Sequence, residues 1–502
     1  MRARAVSGYT FAFLLVTSLS SAQIIPIKTV PLAQGDQFLL FPSSNLGMGG
    51  VSIAFPDTLL DPFVNPATGL RIGGSRLFTS PTVYGTSGST GAGRSLPFAT
   101  LVGAGTWFGG LAVAVQQIDA TAPNPTFFPC PQCAVPLAGG GILGAPPQSH
   151  GNAYTFASLG HALPAAHVAV GASLAWSHLR AVDGVSMLYP QSQRVDEAGH
   201  MLDVRLGLTK DWTGGRSLQA LVLRQGVAMG QNATYIDQIW DPALQQNIQQ
   251  LRLENNRDQS ATWGLDLRYR RPLPDSVWTM GWVVTINRVL NSQVPDYDVL
   301  GIARGAGRST AADLGVGFSK TRGPGTFAID MLFEPIASTT WGTAGAPAVN
   351  ALGDTLPAGT RTMLNRFRFT NAVLRMGVGR QAELPGVGKV AGVQLGLALR
   401  AVHYRLAQQD LIQATTQHMN QTWLEWSPTW GLSLRFPELE LRYAGRVTNG
   451  MGRTNGQQAF FPPGLRAVDI GLPGFFVTPA GPLVLTGVHT VTHQISLSLP
   501  LR

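Results

Sequence analysis

Cys130 and Cys133 stand in the run Pro129-Cys130-Pro131-Gln132-Cys133 and are the only cysteines of the chain. A C-x-x-C pair can serve redox chemistry or supply half of a tetrahedral zinc site, which needs four thiolate or imidazole ligands. His150 is the nearest histidine, and a full ligand set is not apparent in the sequence. The N-terminus points to export: Arg2 and Arg4 precede the apolar run 11–16, and Ser20-Ser21-Ala22 offers small residues for cleavage. Export takes the thiols into an oxidising compartment. The metal reading stays open, but the expected state is a disulfide that closes a small loop. Thiol labelling of intact cells without reductant should then fail, and ready labelling of both cysteines would sink the expectation. No metal and no other cofactor is expected.

Catalytic signatures are sparse. Neither a G-x-S-x-G elbow nor a P-loop occurs. Histidines are scattered: His161 and His167 flank a short link, and His178 lies near a strand end. They read as rim or loop residues, and enzymatic activity is not expected, with a serine–histidine pair on a barrel wall as the one catalytic arrangement left open.

The elements that must position such residues follow from composition and period. Only 13% of the residues are Asp, Glu, Lys or Arg, about half the ~25% of ordinary soluble domains. Mean hydropathy is +0.11, yet no stretch approaches the ~18 apolar residues of a spanning helix. A glycine-rich soluble β protein and a membrane β-barrel both fit. The formal net charge of +9 suits an anionic membrane surface. Nucleic acid is not an expected partner, because no basic run or aromatic platform accompanies the charge.

From residue 75 onward, segments alternate apolar with small or polar residues, the period of a strand. Leu202, Val204, Leu206 and Leu208 fall on one face, opposite Asp203, Arg205 and Gly207. Trp263, Leu265, Leu267 and Tyr269 repeat the pattern against Asp266, Arg268 and Arg270, as do Ile495, Leu497, Leu499 and Leu501 against Gln494, Ser496 and Ser498. Short links at 107–110, 164–166, 213–215, 273–276, 323–325 and 437–438 alternate with long ones at 120–151, 183–199, 230–260, 291–309, 337–365 and 451–482. That rhythm predicts an all-β fold: a transmembrane up-and-down antiparallel β-barrel of 14–16 strands, with short periplasmic turns, long outer loops and an N-terminal plug segment. Lys210, Lys320 and Lys389 fall at the short turns, with Trp107, Trp212 and Trp278, as an interfacial girdle would.

Charged residues whose parity points them inward are Asp203, Arg205, Asp266, Arg268, Asp313, Asp330, Glu334, Arg435, Glu440 and Arg442. They are expected to pair with one another or with the plug; the alternative is a weakly selective aqueous pore. In 366–379, Phe367 and Phe369 lie on one parity and Leu374, Met376 and Val378 on the other. A second switch follows Leu399, before Val402 and Tyr404. Both predict a bulge or kink.

Ahead of the strands, residues 45–67 are rich in glycine and small apolar residues and nearly free of charge. A barrel of this size has a lumen too wide for its own side chains to fill, and a compact uncharged segment folded into it would act as a plug. The stretch 46–70 resembles the N-terminal hatch motif of the long-chain fatty acid transporter (FadL/TodX, OMPP1) superfamily of outer-membrane barrels, including the related PorV-type barrels. Matching positions are Leu46, Gly47, Gly49, Gly50, Asp57, Asn65, Pro66 and Ala67. Family barrels usually hold the smaller number of strands in the range above, and Arg502 replaces the aromatic common at barrel C-termini.

The expected organisation is a signal peptide (1–22), a plug or hatch (23–74) and an outer-membrane barrel (75–502). The expected function is passive uptake of hydrophobic or amphipathic, fatty-acid-like small molecules across a Gram-negative type outer membrane. Candidate ligand contacts are the loop aromatics Phe127, Phe128, Phe460, Phe461, Phe475 and Phe476. The partners are outer-membrane lipid and such a ligand. Two alternatives remain: a PorV-like barrel that docks substrates of a secretion system, and a structural or general-diffusion porin.

Overall fold

The computed structural model describes residues 35–87, 91–119, 149–185, 194–241, 245–274, 277–291, 303–384, 389–454 and 485–501. Strand β1 is one stave in two pieces, Ser75–Thr79 and Thr82–Thr86, and both pieces pair with the second and the last strand. The others are β2 (Ala92–Ala104), β3 (Trp107–Asp119), β4 (Ser149–Leu163), β5 (Val168–Leu179), β6 (Arg194–Asp211), β7 (Ser217–Asp241) and β8 (Gln246–Pro272). The second half holds β9 (Trp278–Asn291), β10 (Ala303–Arg322), β11 (Gly325–Thr343), β12 (Arg361–Leu384), β13 (Lys389–Asp410), β14 (Thr415–Arg435), β15 (Glu440–Thr454) and β16 (Leu485–Leu501). Each strand pairs antiparallel with its chain neighbour, and β16 pairs back onto β1. The result is a closed antiparallel barrel of sixteen strands. Closure leaves the sheet without an edge, so wall backbone groups satisfy one another, as hydrocarbon demands.

The two faces differ as the alternation requires. Leu206 is 60% exposed on the outer face of β6, whereas Asp203 on the inner face is 3% exposed. Val113, Leu159, Leu395, Leu432 and Ile495 are likewise exposed outward. At the short turns the Lys210 ammonium lies 5.4 Å from the Trp212 ring and that of Lys320 lies 5.0 Å from the Trp278 ring. This is the interfacial girdle, with cations held over aromatic faces.

Several expected boundaries are corrected. The first turn is Gly105-Thr106, and 107–110 belong to β3. Gly109 and Gly110 are wall glycines there: a Cβ on either would lie within 2.5 Å of a neighbouring strand's carbonyl oxygen. Most of 230–260 is a β-hairpin, since β7 runs to Asp241 and β8 starts at Gln246. Proline occurs there only as Pro242, between the two strands, so the ladder continues on both sides of it. β6 begins at Arg194, β10 at Ala303 and β12 at Arg361, each inside a segment read as a link, and a two-stranded ribbon of Ala348–Val349 with Thr355–Leu356 stands between β11 and β12. The links after β1 and β13 are short as well, so length does not alternate all the way round.

The two phase switches produce no bulge. β12 and β13 keep one register through 370–371 and 399–402. Phe367, Phe369, Val402 and Tyr404 are buried on the same parity as Asn371, so the ladder stays in register while its polarity inverts.

Candidate functional site

Residues 35–74 fold around Asp57. Its Oδ1 accepts from the Ser44 backbone N–H (2.8 Å), the Ser44 hydroxyl (2.8 Å) and the Leu60 N–H (3.1 Å), and its Oδ2 from the Ser43 hydroxyl (2.5 Å). A carboxylate suits this place because charge-assisted bonds are the stronger ones. The turn Leu46–Met48 ends at Gly49 and Gly50, both in the left-handed region (φ 74° and 72°) where glycine is favoured. A short helix α1 (Asp61–Val64) leads to Asn65, whose Oδ1 accepts from the Ala67 N–H at 3.1 Å and caps the 3₁₀ turn Pro66–Ile72. Leu46 and Ala67 are buried. The resemblance-derived positions thus come together as the frame of one segment.

The wall is cut to receive that frame. Gly171 faces Gly207 across β5–β6, Gly281 faces Gly317 across β9–β10, and Gly377 faces Gly396 across β12–β13. A Cβ at Gly171 would lie 2.7 Å from the Pro66 carbonyl carbon, at Gly281 2.6 Å from the Ile53 oxygen, and at Gly396 2.2 Å from the Gly49 nitrogen. Asp330 on β11 accepts from the Ser52 and Ile53 N–H groups at 2.6 and 3.2 Å. Thr429 on β14 accepts from the Gly49 N–H at 2.8 Å, and Arg205 on β6 donates to the Val64 carbonyl at 3.1 Å. The segment thus contacts strands on several sides of the ring, among them β5, β6, β9, β11, β13 and β14. Toward β1–β5 it is apolar: Phe41 stacks on Phe63 at 4.1 Å, and Phe63 packs with Phe78 and Phe156.

Two cavities border the segment. One, of about 10 Å³, is lined by Pro62, Gly69, Ile72, Leu101, Phe108 and Ser158. The other, also of about 10 Å³, is lined by Ser52, Asp61, Ser217, Gln219, Arg268 and Arg270. Burial pushes the Asp61 carboxyl up to about 7, with the Asp57 charge adding to the rise and Arg268, Arg71 and Arg270 opposing it.

Most of the inward charges are paired; Asp313, expected to pair as well, has no ion pair among the described residues, and its Oδ1 is buried without a hydrogen-bond partner. Arg205 binds Asp203 at 2.7 Å, Arg268 binds Asp266 at 3.0 Å, and Glu440 binds Arg442 at 2.5 Å and Arg435 at 3.2 Å. Glu334 takes Arg400 and the Asn371 amide (3.1 Å). Above this polar level the inner wall becomes apolar. Ile336, Phe369 and Tyr404 are successive cross-strand neighbours, and the next rung holds Phe367, Leu406 and Met419. Tyr404, 0% exposed, has ring centroids 5.0 Å from Phe369, 6.4 Å from Phe367 and 6.3 Å from Trp423. The rung above, Thr340, Asn365 and Gln408, is polar again.

Sequence reading located the aromatics of this patch only as a phase anomaly. The alternation Arg366-Phe367-Arg368-Phe369 was its signal. The expected loop aromatics Phe127, Phe128, Phe460, Phe461, Phe475 and Phe476, the Cys130–Cys133 pair and the signal peptide lie outside the described residues.

Fold and wall define a membrane-spanning β-barrel of the outer-membrane type, with an apolar outer band, interfacial tryptophans and a polar inner face. No protein-family model and no curated protein matches the sequence. Among solved structures it is similar to a FadL homologue of Pseudomonas aeruginosa, at 12% identity over 94% of this chain and 100% of that one, with a TM-score of 0.41. It is also similar to the toluene transporter TodX of Pseudomonas putida (13% identity, 91% and 97% covered, TM-score 0.39) and to the toluene transporter TbuX of Ralstonia pickettii (11% identity, 93% and 100% covered, TM-score 0.38).

Proposed function

We propose that the barrel resides in a Gram-negative type outer membrane and passes hydrophobic or amphipathic small molecules inward, with residues 23–74 as its plug. One observation carries this reading. On β12 and β13, beyond the bilayer, the inner wall turns aromatic and aliphatic while the outer wall turns polar. An inward apolar patch at the mouth has no use in a general-diffusion porin, whose lumen is polar. With Phe367, Phe369, Tyr404 and Leu406 at most 4% exposed, the patch would take an apolar body by displacing what covers it, with hydrogen-bonding groups above and below. A ligand leaving the patch meets the Glu334–Arg400 level and then the plug.

The wall offers a sideways exit as well. Ser80-Pro81 interrupts β1, and Pro97 on β2 stands opposite the break. Two prolines at one level of one strand pair withhold ladder donors, which weakens this seam.

Purified protein should bind an apolar fluorophore such as N-phenyl-1-naphthylamine, and Phe369→Ser with Tyr404→Ser should weaken binding about tenfold. That loss corresponds to about 1.4 kcal/mol, the lower end of what burying one large apolar side chain supplies. Unchanged binding in the double variant would overturn the site. Absence of binding in the parent protein would favour the secretion-docking alternative.

A further inference from the structure

The strands that carry the inner aromatic patch carry arginines on their outer face. Arg366 and Arg368 of β12 and Arg405 of β13 are exposed there. Arg368 and Arg405 are direct cross-strand partners, a like-charge pair that destabilises a sheet when nothing lies between the charges. Arg405 donates its Nε–H to His403 Nε2 at 2.9 Å. No carboxylate pairs with any of the three arginines among the described residues.

Their height indicates what neutralises them. Below them the outer face is apolar, with Leu374, Met376 and Val378 on β12 and Leu395, Leu397 and Leu399 on β13. The face changes at the rung Ala372–Ala401–Leu424, and Arg368 and Arg405 stand four residues above it. At ~3.4 Å per residue and a tilt of ~45°, that is about 10 Å beyond the apolar band. A long side chain spans part of this distance by snorkelling toward the interface. An acyl chain lying on the leucine face would therefore carry a bulky headgroup to the guanidinium groups.

We infer that Arg366, Arg368 and Arg405 form a binding site for the phosphate groups of a phosphorylated glycolipid in the outer leaflet. The guanidinium fork matches phosphate oxygens bidentately, and an anion between Arg368 and Arg405 removes their mutual repulsion. The inference uses only the placement of the apolar band in the membrane. Uptake through the lumen is a separate matter with its own readout, the fluorophore binding described above.

The test uses the full-length protein in phosphatidylcholine nanodiscs doped with a bisphosphorylated glycolipid, with retained lipid counted by native mass spectrometry. A basic residue near an anionic surface contributes about fivefold in affinity, so Arg366→Gln, Arg368→Gln and Arg405→Gln together should lower retention about a hundredfold. Heat-modifiable migration on gels reports that each variant is folded. Lysine at the same three positions should keep most of the charge-driven retention and lose the bidentate part. Retention of the dephosphorylated glycolipid equal to that of the phosphorylated one would overturn the site, as would equal retention by parent and glutamine variant. Full displacement by millimolar inorganic phosphate would also overturn it, as an anion site without lipid preference.

Discussion

Planar bilayers containing the protein without residues 40–67 should show large, steady conductance where the intact chain is nearly silent. The wall does not depend on the deleted segment for its closure, because sixteen strands pair with one another around the full ring and β16 returns to β1. Barrels with about this many strands leave an aqueous channel when nothing fills them. The deletion removes Asp57 and its five bonds, the Gly49–Thr429 contact and the backbone that Asp330 holds. It leaves the inward ion pairs Arg205–Asp203 and Arg268–Asp266 in place, so the opened lumen should remain polar and hydrated. Insertion is checked independently by heat-modifiable migration. Equal conductance from intact and shortened chains would mean that the segment does not block the lumen, and it would then be better read as a periplasmic docking arm.

Much of the barrel is legible in the sequence because a strand with lipid on one side and lumen on the other must alternate. The runs 201–208, 262–270 and 494–501 have their apolar residues outward in the structure, as their parity required. Links were harder to read, for a physical reason. Glycine marks a turn in one place and close wall packing in another, and Gly109-Gly110 is the second kind. Nor does the period of two stop at the membrane surface, so β7 and β8 continue through residues read as a loop.

The N-terminal segment was legible in its own residues, since Asp57 and Asn65 make local bonds that a motif can encode. Its seats were not. Gly207 or Asp330 acquires meaning only when strand register brings it to a particular backbone atom, and register is a property of the closed ring. Inward aromatics above the bilayer give the same phase switch at Thr370-Asn371 as a bulge would, and only register separates the two. Outside the bilayer nothing obliges the outer face to be the apolar one.

The second large effect is expected at one of the glycine seats. Gly377→Val with Gly396→Val should unseat the start of the N-terminal segment while leaving the barrel folded. A Cβ on Gly377 would lie 2.5 Å from both the Met48 Cβ and the Met48 carbonyl oxygen, and one on Gly396 would lie 2.2 Å from the Gly49 nitrogen. All three atoms belong to the backbone or are fixed directly to it, so no rotamer change relieves the contact. Gly49 cannot retreat by changing conformation either, since it already holds φ 74° and a Cβ of its own would press on the Met376 and Leu397 oxygens at 2.9 Å. The strands themselves tolerate valine well, because β-branched residues suit a pleated, half-buried surface. Strain therefore falls on the segment, which is expected to detach near Met48 and stay held by Asn65 and Pro66 at Gly171 and Gly207. Single-channel recordings should show frequent brief openings, smaller than those of the 40–67 deletion. Restoring glycine at 396 alone should recover part of the closure, since the shorter contact is then gone. A silent double variant would show that the segment can shift along the wall without opening a path, and the three seats would then be packing features that do not control the block.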